Sequence, residues 1–219
     1  MLKAAVFDFD GTLFDSNYVW ATAGERFFQS IGVDPKPNLQ EEIRTMSLYQ
    51  SACYIRKEYD LSLTVEEIME GINQTVEDAY FHEVQPKSGV IPFLHALKAA
   101  GIRMCIATAT DRYQIEAALK RYNMLNFFEE IFTCSEVGHG KDEPVIFRKA
   151  MEYLGTDRSN TVIFEDALHA VQTAKEDGFM TIVIRDSYIQ EQKQLQTLCD
   201  CYLTGFRQTE PFWKFASQV

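Results

Sequence analysis

Positive charge is scarce in this sequence. Its 21 Lys and Arg stand against 32 Asp and Glu, the net charge is -11, and no basic run occurs. Binding along a nucleic-acid backbone needs clustered Lys and Arg, so no nucleic-acid partner is expected. The same deficit means that an anionic substrate must be drawn in by a local cation and not by the overall field. Long apolar runs are also missing, and nothing is long enough to span a bilayer. No membrane partner is expected. The N-terminus runs straight into a strand without a basic region and a cleavage site, so no signal peptide is evident. Cysteine is sparse: Cys53, Cys105, Cys134, Cys199 and Cys201 are odd in number and form no Cys-x-x-Cys pair. That excludes a disulfide framework and points to free thiols in a reducing compartment. Cys199 and Cys201 have no further Cys or His nearby and read as packing residues. A cytoplasmic protein is the expectation.

What is present is a sizeable core. The chain has 219 residues and is 46% hydrophobic, enough for one domain with an insertion. Its organising stretch is Val6-Phe7-Asp8-Phe9-Asp10-Gly11-Thr12-Leu13. Lys3 to Phe9 reads as a buried strand. Side chains two apart on a strand share a face, which would aim Asp8 and Asp10 the same way at the end of a sheet. Two adjacent buried anions are costly without a cation, and a hard divalent ion such as Mg²⁺ suits oxygen ligands. Gly11 permits the turn out of the strand. The plainer reading is a strand and an acidic Asp-Gly turn.

From about residue 16 to residue 84 no good strand appears. Helices are expected over Asn17–Phe28, Glu41–Tyr59 and Thr64–Phe81, the last opened by a capping box at Thr64-Val65-Glu66-Glu67. An all-helical block spanning 16–84, between core segments 1–15 and 85–219, is the economical organisation. After Pro86 strands and helices alternate. Strands are expected at 102–107, 130–134, 161–164, 181–184 and 201–203, with helices at 90–100, 112–122, 145–154 and 167–176. Such alternation means an α/β fold with a parallel, Rossmann-like sheet covered on both faces. Ligands then sit beyond the carboxyl ends of the strands. Those ends carry Asp8 and Asp10, Thr108, and Glu165 and Asp166.

On these residues the chain resembles the haloacid dehalogenase-like hydrolases that carry a small helical cap after the first strand. Asp8-Phe9-Asp10-Gly11-Thr12, Thr108 at a strand end, Lys141-x-x-Pro144 and Phe164-Glu165-Asp166 match in order. The resemblance implies phosphoryl transfer, because Asp10 argues against dehalogenation. It makes Asp8 the nucleophile and Asp10 the general acid and base, through an aspartyl-phosphate. Asp8, the backbone carbonyl of Asp10, Asp166, and Glu165 directly or through water, would hold Mg²⁺. Thr108 and Lys141 would meet the phosphoryl group, together with Gly11 and Ala109. Each residue has a plainer role: Thr108 as a strand-end hydroxyl, Thr110 or Asp111 as a helix cap, Lys141 as a solvated loop lysine, Glu165 and Asp166 as acids at a helix start. The chain departs from relatives at Ala167 and Ala170. The aromatic tail with Phe212, Trp213 and Phe215 packs on the core or covers an interface.

The helical block should choose the substrate. Asn17, Trp20, Arg44, Tyr49 and Tyr54 are candidates to face the site, and His139 to lie near it. His82, His95 and His169 read as structural or exposed. The expected activity is hydrolysis of a small phosphorylated metabolite. A phosphomutase resembling β-phosphoglucomutase is the alternative, weakened by Trp20 and Leu48 where that enzyme has a histidine and a phosphate-gripping arginine. A non-catalytic binding protein of the same fold would have lost a catalytic residue, and none is missing.

Overall fold

A computed structural model describes residues 1–43 and 46–219. Arg44, one of the specificity candidates, lies outside the described residues. In chain order the elements begin with β1 (Ala4–Phe7), β2 (Phe14–Asp15), α1 (Asn17–Ser30), α2 (Leu39–Ile43), α3 (Leu48–Glu58), α4 (Val65–His82) and β3 (Gln85–Pro86). There follow α5 (Val90–Ala99), β4 (Arg103–Thr108), α6 (Arg112–Arg121), β5 (Ile131–Thr133), α7 (Cys134–Val137) and α8 (Val145–Tyr153). The chain closes with β6 (Thr161–Glu165), α9 (Leu168–Glu176), β7 (Met180–Ile184), α10 (Gln192–Leu198), β8 (Cys201–Leu203) and α11 (Glu210–Ala216).

Six strands form one sheet in the order β5-β4-β1-β6-β7-β8, all parallel. β1 is central and wholly buried. Its alternating side chains divide between two cores, as the strand period requires. Ala5 and Phe7 join Met104, Ile106 and Phe164 on one face, while Ala4 and Val6 join Cys105, Ala107 and Ile163 on the other. Helices α8 and α9 cover the second face through Phe147, Ala150, Ala170 and Ala174. On the first face the C-terminal tail forms α11 and packs on the core. Phe212 is fully buried, with its ring 5.2 Å from Phe93 and 5.4 Å from Phe164.

The strand order reverses beside β1, and Asp8 follows directly at that switch point. The Asp8 amide donates to the Phe164 carbonyl at 2.9 Å, which ties the Asp8 backbone to the neighbouring strand. Between β2 and β3 the described chain is helical. The two short strands pair antiparallel, Phe14 with Pro86 and Asp15 with Gln85, so the chain leaves and re-enters the sheet through one ribbon. The sequence pattern did not predict this ribbon, because two-residue strands carry no periodicity.

The helix expected over 41–59 is two helices. Ser47 opens α3 with a reciprocal box: its Oγ accepts from the Gln50 amide at 3.2 Å and the Gln50 side chain accepts from the Ser47 amide at 2.8 Å. The Thr64 box at α4 forms as expected, with contacts of 3.1 and 2.7 Å. Lys3–Phe9 shortens to Ala4–Phe7 because the chain turns from Phe9, whose carbonyl accepts from the Leu13 and Phe14 amides. Cys134, expected in a strand, starts α7, whose cap is Thr133.

Candidate active site

Asp8, Lys141, Glu165 and Asp166 meet at the carboxyl end of β1 and β6, and each is less than a tenth exposed. Lys141 comes from the loop after α7, where Gly138 turns the chain with a positive φ of 79°. Its Nζ donates to Asp8 Oδ1 and to Glu165 Oε1 at 2.7 Å. The other Glu165 oxygen accepts from the amides of Asp166 and Ala167, both at 2.9 Å. Glu165 therefore anchors the lysine and the start of α9 at once. Asp166 accepts from Asn17 Nδ2 at 2.8 Å and from Thr12 Oγ1 at 3.5 Å.

Ligand oxygens of Asp8, Glu165 and Asp166 lie within 4.8 Å of one another. Three buried carboxylates face one ammonium, so negative charge is left uncompensated. Burial pushes the Asp8 carboxyl up to about 8 against the pull of Lys141. Burial, reinforced by Glu165 and Asp8, holds Asp166 well above the usual carboxylate range. Burial alone would lower Lys141, but Asp8 and Glu165 outweigh it and keep the ammonium charged. An all-oxygen donor set with excess negative charge fits a hard divalent cation. The space is kept open by Gly11. A Cβ there would sit 2.1 Å from both Asn17 Nδ2 and Asp166 Oδ2.

Asp10 lines the same cavity as Asp8. It lies past the end of β1 in an isolated bridge with Phe14, so it is not a strand neighbour of Asp8. Its carboxylate is outside the cluster formed by Asp8, Glu165 and Asp166. The reason is the turn at Gly11. Ser16 Oγ donates to Asp10 Oδ1 at 2.6 Å, Tyr80 OH donates to the same oxygen, and Thr110 Oγ1 donates to Oδ2 at 2.6 Å. Trp20 Nε1 in turn donates to Tyr80 OH at 2.6 Å. Burial raises the Asp10 pKa, and the three hydroxyls oppose it. Ser16, Tyr80 and Thr110 were not anticipated as partners of Asp10. The only sequence signal was their polarity at buried positions.

Thr108 is fully buried at the end of β4, and its Oγ1 accepts from the Thr110 amide at 3.1 Å. The donor half of its hydroxyl is not used in that contact. Ala109 lies on the wall of a cavity of about 400 Å³ that also contains Asp8, Asp10, Lys141, Asn17 and Trp20. Its far wall is largely apolar and helical, with Ile43, Leu48 and Ile72. Tyr49, Tyr54 and His139 are not among the lining residues. Tyr49 is 58% exposed, Tyr54 packs against the core cluster, and His139 Nδ1 lies 3.2 Å from Glu143. His169, read as structural or exposed, borders the cavity. Among the polar bridges that hold the helices over the site are Gln50 Nε2 to Asp142 at 3.0 Å and Asn73 Nδ2 to Asp111 at 2.6 Å.

The sequence model of a family described as haloacid dehalogenase-like hydrolase matches residues 5–184. Among similar proteins, the phosphorylated carbohydrates phosphatase of Thermotoga maritima is 23% identical over 181 residues, covering 83% of this chain and 84% of the relative. The 6-phosphogluconate phosphatase of Escherichia coli is 22% identical over 179 residues, covering 81% and 80%. CbbY from Rhodobacter sphaeroides, solved in complex with phosphate, superposes with a TM-score of 0.84 at 23% identity, covering 96% of this chain and 97% of that one.

Proposed function

This chain belongs to the haloacid dehalogenase-like hydrolases and is a phosphatase, as its relatives are; from that premise we propose that it is a Mg²⁺-dependent hydrolase of a small phosphorylated carbohydrate, acting through an aspartyl-phosphate on Asp8. The observation that carries this reading is the unequal setting of two aspartates on one cavity. Asp8 faces Lys141 and the acid cluster, whereas Asp10 sits in a cage of hydroxyls.

Asp8, whose carboxylate accepts from Lys141 Nζ, is the nucleophile toward phosphorus. The bond from phosphorus to the ester oxygen breaks as the bond to the Asp8 carboxylate oxygen forms. Asp10 enters with a proton, which its raised pKa favours, and gives it to the departing alcohol oxygen. The resulting Asp10 carboxylate then takes a proton from water as that water attacks the phosphoryl-Asp8 bond. Phosphate leaves, Asp8 is regenerated and Asp10 is protonated again. Lys141 supplies positive charge to the phosphoryl oxygens in the transition state. Thr108 and the Ala109 amide donate hydrogen bonds to those oxygens. Asp8, Asp166 and the backbone carbonyl of Asp10, with Glu165 alongside, would hold Mg²⁺, which when bound offsets charge between carboxylate and phosphate. The helices α1 to α4 act as a cap whose inner wall, with Asn17 and Trp20, selects the organic group. Trp20 is held by Tyr80 and Leu48 is apolar, so neither offers a grip for a second phosphate. That supports hydrolysis over mutase chemistry.

The test is phosphate release from a panel of sugar phosphates and an aryl phosphate, with Mg²⁺, with EDTA, and with Asp8→Asn. Release from at least one ester is expected, lost in EDTA and cut by about 10³-fold or more in the variant. Release that survives Asp8→Asn would refute the mechanism.

A further inference from the structure

A second cavity, of about 370 Å³, lies beyond the ends of β7 and β8 and shares no lining residue with the catalytic one. Lys87 and Ser88 reach it from just past β3, Arg185 from just past β7, and Arg207 from the segment after β8. Asp15, at the end of β2, is on its wall, so the cavity adjoins the ribbon that joins the sheet to the helices.

The charges here run against the rest of the molecule. The Lys87 side chain is 10% exposed, and its Nζ lies 2.7 Å from Asp186 Oδ2 and 3.0 Å from Asp15 Oδ1. Burial alone would lower its pKa, but Asp186 and Asp15 raise it and hold the ammonium charged. Asp186 also accepts from the Tyr188 amide at 2.9 Å. Lysine and aspartates thus occupy one another. The two arginines are left over. Arg207 Nε donates to Ser88 Oγ at 2.7 Å, which uses one of its five N–H donors. The Arg185 guanidinium makes no hydrogen bond or ion pair among the described residues. Three cations against two acids leave a local excess of positive charge in a chain of net charge -11.

We propose that this cavity is a second, non-catalytic binding site for a phosphoryl group, held between Arg185 and Arg207 with Lys87 as the buried floor. Guanidinium forks match the oxygens of phosphate in paired contacts. Two guanidinium groups without counter-ions call for an anion of charge near -2, which phosphate monoesters carry at neutral pH and a single carboxylate does not. The site does not depend on turnover at Asp8, and its test is one of binding.

Inorganic phosphate is titrated calorimetrically into the full chain with Mg²⁺, and into the Arg185→Ala/Arg207→Ala double variant. Two sites are expected in the unchanged protein, and in the variant one of them weakens by about tenfold or more, the worth of one charge-assisted contact. Lys141→Ala should weaken the other site and spare this one. A single site in the unchanged protein, or two undiminished sites in the double variant, overturns the proposal. A glycerol phosphate arm, run on Asp8→Asn to prevent hydrolysis, separates the sources. Tighter saturation by the ester identifies a phosphorylated metabolite, equal or tighter saturation by the free ion identifies phosphate itself, and saturation by neither refutes the site. Both arginines are exposed, so the variant should fold, which circular dichroism checks. In the unchanged protein, phosphate should also shield Arg185 and Arg207 from a dicarbonyl reagent, read by peptide mass spectrometry. Unshielded modification of both counts against the proposal.

Discussion

Three hydroxyls converge on Asp10, from Ser16, Tyr80 and Thr110. Each hydrogen bond favours the carboxylate form and opposes burial. Tyr80→Phe removes one of them and also strips Trp20 Nε1 of its acceptor. The Asp10 pKa should therefore rise further. If Asp10 works first as an acid, as proposed, the alkaline limb of the kcat profile should move to higher pH, measured on the best ester of the panel. Stability should fall by about 1–3 kcal/mol from the unpaired indole N–H, measured by urea unfolding. Gly11 is the second residue on which the site turns. Its φ of 75° and the 2.1 Å approach of a Cβ to Asp166 Oδ2 leave no room for a side chain. Gly11→Ala should abolish metal-dependent activity while the far core unfolds normally. A fully active Gly11→Ala protein would mean that this turn is not what places Asp166.

At the scale of elements, ion pairs at the end of α9 tie it to α8 and to the loop before β6. Asp177 closes α9 and accepts from Arg158 Nη2 and Arg148 Nε, each at 2.9 Å. These arginines hold its carboxyl below the usual range. A lowered carboxylate pKa contributes stability that is fully present above the unfolded value, about 3.9. It is lost as pH falls through the folded value. Both arginines are more than a third exposed, so solvent screening limits the effect to roughly 0.5–1 kcal/mol. Asp177→Asn should cost this much at pH 7 in urea unfolding, and the difference should shrink as pH falls below the unfolded value. A difference that does not shrink on acidification would assign the loss to packing. On α3 the Ser47 cap sets where the helix begins, and Gln50, its partner in the box, also reaches Asp142 of the lysine loop. One residue thus couples a helix start to the site.

For the whole molecule, the sheet, the tail and the acid cluster share one core. Phe212 in the last helix touches Phe93 and Phe164, and Phe164 stacks 4.3 Å from Phe7 just before Asp8. Phe212→Ala should destabilise the fold by about 3–5 kcal/mol, seen as a lower urea midpoint. A loss under about 1 kcal/mol would show that the tail is dispensable. The acid cluster acts on the same equilibrium from the other side. Buried carboxylates that repel one another destabilise the ion-free fold, and a divalent ion bound only to the folded state stabilises it by mass action. Millimolar Mg²⁺ should raise Tm, EDTA should reverse the rise, and Asp166→Asn should shrink it. An unchanged Tm in Mg²⁺ would argue that these acids do not hold the ion.

The sequence by itself determined the parallel α/β sheet and the residues that gather at its carboxyl edge. Both are local properties. Strand periodicity and helix punctuation act over a few residues, and a strand end automatically delivers Asp8, Thr108 or Glu165 to one rim. The break before Ser47 and the ribbon of β2 and β3 escaped the reading because they depend on a single reciprocal cap and on two-residue pairings. Only the tertiary structure decided what surrounds Asp10, since its partners stand 6, 70 and 100 residues along the chain. The same holds for the tail on the first core and for Lys87, Arg185 and Arg207 around one cavity. Long-range contacts of that kind are set by how helices and sheet pack, and packing leaves no periodic mark in the sequence.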